Sequence, residues 1–110
     1  MLKKQNRLSK RSDFLKLKKE GAVKQSPFFG FVYLKNEEID KPRFGFIISK
    51  RISKKAVDRN KIKRVLCEII MKKTDFGNKK IEGIFLVRQA ILKAKRNELE
   101  KEVIRILQNV

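Results

Sequence analysis

Between residues 55 and 73, Ile62, Val65, Leu66, Ile69 and Ile70 recur at i, i+3, i+4, i+7 and i+8 in a stretch otherwise dominated by Lys and Arg. That spacing puts five branched side chains on one stripe of an α-helix. A helix of this kind is stable only when the stripe is docked on a partner surface. The rest of the chain must therefore supply an apolar layer, and 110 residues are enough for one such domain and one core.

Strands are the natural candidates for that layer. Pro27 opens an aromatic stretch, and its β-branched and aromatic content over residues 28–35 predicts a strand. RFGFIISK, residues 43–50, predicts a second, and the short acidic turn from Asn36 to Pro42 makes an antiparallel hairpin the simplest pairing. IFLVR at 84–88, opened by Gly83, is apolar on both faces and predicts a central strand.

Two further helices complete the order. A short one over about 12–20, capped by Ser9 or Ser12 and stopped at Gly21, carries Phe14 and Leu17 on one face. A last one carries Leu99, Val103, Ile106, Leu107 and Val110 on its stripe, with Asn97 as cap and Glu98 and Glu100 favourable to its dipole. Gly77 and Asn78 end the long helix. The fold class is α+β, a single-domain two-layer sandwich of order α-β-β-(β)-α-β-α, the strand in parentheses being a possible extra short one, with helices packed on one sheet. No repeat or linker divides it, and only residues 1–8 look loose.

Charge is the next constraint. The chain carries 30 Lys and Arg against 12 Asp and Glu, a net charge of +18. The excess is not spread evenly: residues 3–24 hold nine basic and two acidic side chains, residues 50–64 eight and one, residues 25–49 three and three, and residues 65–110 ten and six. A coding bias toward Lys would disperse charge, whereas a polyanion-binding surface concentrates it, so nucleic acid is the expected partner. On the long helix, Asn60, Arg64, Cys67 and Met71 fall opposite the apolar stripe, with Lys63 and Lys61 on its two flanks and Arg59 near its edge. Lys50, Arg51, Lys54 and Lys55 lie in the connection leading into it, and the whole reads as a phosphate-binding ridge. The competing reading is a solvated helix face, but such faces usually mix both signs and this one holds a single acid.

Several function classes are excluded. With no His and only Cys67, neither a nucleophilic triad nor a disulfide can be assembled, and a zinc site is excluded. There is no Gly-rich phosphate loop. Glu98, Glu100 and Glu102 suit capping and solubility better than metal binding. No apolar run exceeds four residues, and the N-terminus lacks the apolar stretch of a signal peptide, so the expected location is the cytoplasm, without membrane contact.

The segment Ser49-Lys50-Arg51, then Arg59-Asn60-Lys61-Ile62-Lys63-Arg64, then Cys67-Glu68 closely resembles the signature of the bacterial ribonuclease P protein family. The resemblance extends over nearly the whole chain. It departs in Lys61, which keeps charge but loses the guanidinium fork, and in Cys67, which loses both, so no RNA contact is carried onto Cys67. There a semi-exposed small apolar side chain is the better reading.

The resemblance implies a fold like the second domain of ribosomal protein S5, with a left-handed βαβ crossover that handedness rules alone would reject. It also implies a subunit of a ribonucleoprotein endoribonuclease that removes the 5′ leader of precursor tRNA, with the reaction centre in a catalytic RNA. By resemblance, Lys50, Arg51, Lys54, Lys55, Arg59, Asn60, Lys61, Lys63 and Arg64 contact that RNA, and Phe14, Lys18 and Phe29 hold the single-stranded leader. Aromatic rings suit that task because bases stack on them with little sequence preference. Ordinary core is the equal alternative for Phe14 and Phe29. Where the family often has further aromatics, this chain has Lys18 and Val32, and strand alternation keeps Tyr33 from replacing the latter. No catalytic residue, metal ligand or small-molecule substrate is expected in the chain, and Mg2+ is expected in the RNA-containing assembly. A structural RNA-binding protein of ribosomal type is the alternative; a nuclease acting alone lacks the residues.

Overall fold

The structure is a computed structural model that describes residues 6–8, 11–73 and 79–110, the first helical residues 11–13 by their backbone alone. Its order is α1 (Arg11–Glu20), β1 (Ala22–Gln25), β2 (Phe29–Lys35), β3 (Arg43–Ile47), α2 (Ala56–Lys73), β4 (Ile81–Val87), a 3-10 turn (Gln89–Lys93) and α3 (Arg96–Gln108). The extra short strand is β1. Among the described residues no helix is long and apolar enough to cross a membrane.

The four strands form one sheet in the order β1-β2-β4-β3. The expected hairpin between residues 28–35 and 43–50 does not form. The two strands do run in opposite directions, but β4 lies between them, antiparallel to β2 with Phe31 opposite Phe85 and parallel to β3 with Phe46 opposite Phe85. The physical reason is the one that predicted a central β4: a strand apolar on both faces gains most where both edges are paired and both faces are covered. The turn from Asn36 to Pro42 has ample length to cross two strand spacings, roughly 9–10 Å. An Asx turn shapes its start, with Asn36 Oδ1 accepting from Glu38 N–H at 3.0 Å.

Strand alternation sends side chains to two different cores. Phe29, Phe31, Phe44 and Phe85 face α2 and α3 and are at most 1% exposed. Phe31 and Phe85 lie 4.7 Å apart by ring centroids, and Phe29 meets Phe85 edge-on at 5.0 Å, in the offset and edge-to-face range aromatic pairs favour. Gly83 makes this interlock possible, since a Cβ there would lie 2.2 Å from the Phe31 ring. On the opposite face α1 covers Val32 and Ile84 with Leu17, while Phe14, Leu34, Ile47 and Leu86 stay half-buried.

The helices follow their stripes, with three adjustments. On α2, Leu66, Ile69 and Ile70 are fully buried, but Ile62 and Val65 are only half-buried and Cys67, expected to be semi-exposed, is 2% exposed. Met71 likewise packs half-buried against the core. The helix is rolled so that its buried arc extends past Ile70 to Cys67, which lies beside Phe44 and Phe46 at the β3 edge. On α3 the expected cap Asn97 lies inside the first turn; Lys95 flanks the helix instead, and Glu98 Oε1 accepts its backbone N–H at 3.1 Å. A first-turn carboxylate reaching back replaces an Asn cap. At α1, Ser12 falls within the helix and Ser9 outside the described residues, as do Gly77 and Asn78. Gly21 does stop α1: its N–H donates to Leu17 O at 2.8 Å, and a Cβ would come within 2.6 Å of that oxygen and of Val32.

Residues 6–8, expected to be loose, are packed. Leu8 N–H donates to Phe44 O at 2.9 Å, Arg7 forms a parallel bridge with Phe44, and the buried Asn6 side chain donates to Pro42 O at 2.8 Å. This short segment runs along the free edge of β3.

Candidate nucleic-acid interface

The connection from β3 to α2 is a built loop. Ile52 is its anchor, 8% exposed in the main core, and its N–H closes a turn onto Ser49 O at 3.0 Å. Ser53 Oγ donates to Asp58 Oδ2 at 2.9 Å and accepts from Lys55 N–H at 3.3 Å. Arg59 is half-buried and its guanidinium donates to Ser53 O at 2.7 Å, so its first role is to tie this loop to the helix. Lys50, Arg51, Lys54 and Lys55 are presented to solvent from the loop.

The helix divides the remaining candidates between two sides. Asn60, Lys63 and Arg64 share an open depression with Cys67. Lys61 faces another groove, shared with Asp58, Ile62, Val65, Leu92 and Arg96. One flank of α2 is thus basic and the other amphipathic, and Lys61 does not join Lys63 and Arg64 in one site.

The ion pairs among the described residues all lie elsewhere: Lys72 with Glu68, Lys80 with Glu37, Arg96 with Glu68 and Glu100, and Arg105 with Glu102. Lys50, Arg51, Lys54, Lys55, Lys61, Lys63 and Arg64 take part in none of them. A solvated surface would interleave acids with these cations; here Asp58, the one acid in residues 50–64, accepts a hydrogen bond from Ser53.

The aromatic candidates separate. Phe14 lies on the α1 side of the sheet, half-buried, with its ring over Gly45, where a Cβ would come within 2.8 Å of it. Lys18 is exposed one turn further along α1. Phe29 belongs to the other core, fully buried against Phe85. Phe14 and Phe29 therefore lie on opposite faces, and Phe29 cannot stack on a leader held beside Phe14. Period-two alternation along β2 together with complete burial decides this.

Two cations not singled out from the sequence border the same α1 side. Arg88, just beyond β4, extends over Gly30 and donates to the Gln25 side chain. Arg7 shares a crevice with Phe14, Gly45, Phe46, Lys63 and Cys67. Their positions depend on long-range strand order, and no local pattern in the sequence announced them. Behind β1, Arg105 pairs with Glu102 at 2.7 Å and also donates to Gln25 O, while Ser26 Oγ donates to Glu102. The Arg105 hydrogen bond holds the Glu102 carboxyl below its ordinary value against a smaller opposing effect of burial.

Among the described residues no three His, Cys, Asp or Glu side chains gather as a metal site. Cys67, the one cysteine of the sequence, is buried.

Comparison with known proteins identifies a family. The ribonuclease P family model matches residues 2–110. The ribonuclease P protein component of Desulforapulum autotrophicum is 33% identical over 109 residues, 97% of this chain and 90% of that protein. Its counterpart from Listeria innocua is 31% identical over 106 residues, covering 96% and 88%. Among solved structures, the RNase P protein of Staphylococcus aureus superposes with a TM-score of 0.80 at 30% identity, over 92% of this chain and 94% of that one. That of Thermotoga maritima gives 0.81 at 27% identity, over 94% and 96%. Matched by the family model over residues 2–110 and sharing the α+β fold of these solved structures, the chain belongs to the ribonuclease P protein family.

Proposed function

We propose that this chain assembles with a catalytic RNA, binds the single-stranded 5′ leader of precursor tRNA, and promotes removal of that leader to form the mature 5′ end. The observation that carries this reading is the set of exposed cations around the β3–α2 loop and the first half of α2, none of them ion-paired among the described residues. Lys50, Arg51, Lys54, Lys55, Lys63 and Arg64, with Asn60 as a neutral donor, would neutralise phosphates of the catalytic RNA and release its counterions. Arg59 would act largely by holding the loop, and Lys61 would reach RNA only from the far flank of the helix.

The leader would lie on the α1 side of the sheet, where Phe14 offers a ring face and Lys18 and Arg88 offer charge. Phe29 has no part in it. With no His in the sequence and no three metal-ligating side chains gathered among the described residues, the chain would contribute binding and orientation, with magnesium and the attacking water held by the RNA. Its effect would be to offset repulsion between two polyanions.

Cleavage of a 5′-extended precursor tRNA by the cognate catalytic RNA at low magnesium, with and without the protein and with a protein-only control, tests the proposal. Accurate leader removal that needs both components is the expected result. No stimulation of a competent RNA would favour a structural RNA-binding role of ribosomal type, and cleavage by the protein alone would overturn the assignment of chemistry to the RNA.

A further inference from the structure

The segment before α1 is held more firmly than an N-terminal tail requires. Asn6 and Leu8 are buried, each tied to the edge strand through a main-chain oxygen, of Pro42 and Phe44 respectively. Arg7, between them, is exposed. Asn6 and Leu8 are thus turned inward at either side of the residue bridged to Phe44, and Arg7 is left outward. Its guanidinium has no acceptor among the described residues, in contrast to Arg59, Arg88, Arg96 and Arg105, which are all engaged.

Arg7 borders an open crevice at the β3 edge together with Lys63, Phe14, Gly45, Phe46 and Cys67. Its free volume of about 110 Å3 is too small for a folded RNA element but suits a single small group. The crevice adjoins the depression of Asn60, Lys63, Arg64 and Cys67, since Lys63 and Cys67 line both. A continuous basic track therefore runs from the outer face of α2, around the β3 edge, to the sheet side that carries Phe14.

We propose that Arg7 and Lys63 form a two-cation seat for one phosphodiester of the single-stranded leader, where the leader rounds the β3 edge between the catalytic-RNA ridge and the Phe14 surface. The inference rests on the leader-binding reading above and adds a residue and a path to it. Two cations with no ion-pair partner among the described residues converge on a crevice and suit an anionic phosphodiester, whose two free oxygens a planar guanidinium can contact in bidentate fashion. Because the backbone of Arg7 is already fixed by its neighbours, little ordering entropy is lost on binding. Phe14 beside the seat leaves an adjoining base a ring to lie against.

The test is equilibrium binding of two probes to the assembly reconstituted with its cognate catalytic RNA: a precursor tRNA with a single-stranded leader of several nucleotides, and the mature tRNA that lacks it. Arg7→Gln and Arg7→Lys are compared with the unaltered chain across a salt series. The Arg7→Gln chain is expected to bind the leader-bearing probe roughly tenfold more weakly, the scale of one charge-assisted hydrogen bond, with the mature tRNA unaffected. Its salt dependence should fall by about one phosphate contact, and Arg7→Lys should restore most of the loss. Since the bridge to β3 is made by main-chain atoms, neither variant should shift melting. If it does shift, the Gln-to-Lys difference in leader binding still decides, because both variants lack the guanidinium and differ in charge. Equal weakening for both probes would move Arg7 off the leader, and no weakening for either would remove it from the interface; each overturns the seat alone. An unaltered chain that binds both probes equally would overturn leader recognition itself, and the seat with it.

Discussion

The two faces of the sheet are made from the same strands and differ in almost everything else. Toward α2 and α3, four phenylalanines interlock with Leu66, Ile69, Ile70, Val103 and Ile106, and the centre of this face is closed while Tyr33, Phe46 and Val87 around it are half-buried. Toward α1, one ten-residue helix covers Val32 and Ile84, leaving Ile47, Leu86 and Leu34 half open. Glycines mark the same contrast. Gly83 admits a ring that completes a core, whereas Gly45 admits a ring that remains partly in solvent. The larger buried core thus lies on the α2–α3 face, and the α1 face holds a smaller one with more apolar surface left half open.

The largest effect expected from disturbing this contrast is on the closed face. Phe85→Ala should destabilise the fold by about 3–5 kcal/mol, read by chemical denaturation, because the ring touches Phe29, Phe31, Phe44 and Phe46. Ile69→Ala, removing a fully buried side chain, should cost about 2–5 kcal/mol. Unchanged melting in either case would mean that the two faces are not divided in this way. On the open face, Leu86→Ala should cost less than either, since its side chain is already half-exposed; a loss as large as that of Ile69→Ala would show the α1 side to be equally a core.

Arg64→Ala should leave stability unchanged, surface substitutions falling within about 0.5 kcal/mol, and should weaken assembly with the catalytic RNA. It should also reduce the salt slope by about 1. Unaltered RNA affinity would take Arg64 out of the interface. The smallest effect concerns pH. Glu102 has a lowered folded-state pKa, chiefly through its hydrogen bond from Arg105, so its contribution is complete above the ordinary glutamate range and is lost as pH falls through the lowered value. Solvent screens the half-exposed Arg105, so the acid-side difference between the unaltered chain and Glu102→Gln should be slight.

The helices were legible in the sequence because their cause is local. The stripes of α2 and α3 lie within a few turns of chain, and Leu66, Ile69, Ile70, Leu99, Val103, Ile106 and Leu107 are buried as their spacing required. Strand adjacency was not legible, because residues 28–50 alone cannot reveal that a distant strand will insert between them. The roll of α2 that buries Cys67 depends on the same long-range packing. The basic character of the α2 segment was legible as composition, and its division by the helix into the Lys63–Arg64 flank and the Lys61 flank came only with the fold. Phe29 was ambiguous for a different reason: an aromatic residue in a strand is equally at home in core or cleft, and only the partner facing it decides.

The central place of β4 also bears on how the chain acquires its shape during synthesis. Both β2 and β3 make their long pairings only with β4, so until residues 81–87 leave the ribosome the nascent chain can form no more of the sheet than the β1–β2 ribbon. An isolated two-stranded ribbon is marginal in water, and the phenylalanines of β2 and β3 would meanwhile be exposed. The basic segments that precede β4 are synthesised first, and their mutual repulsion would keep the unfinished chain expanded and soluble until the strand that unites the sheet arrives.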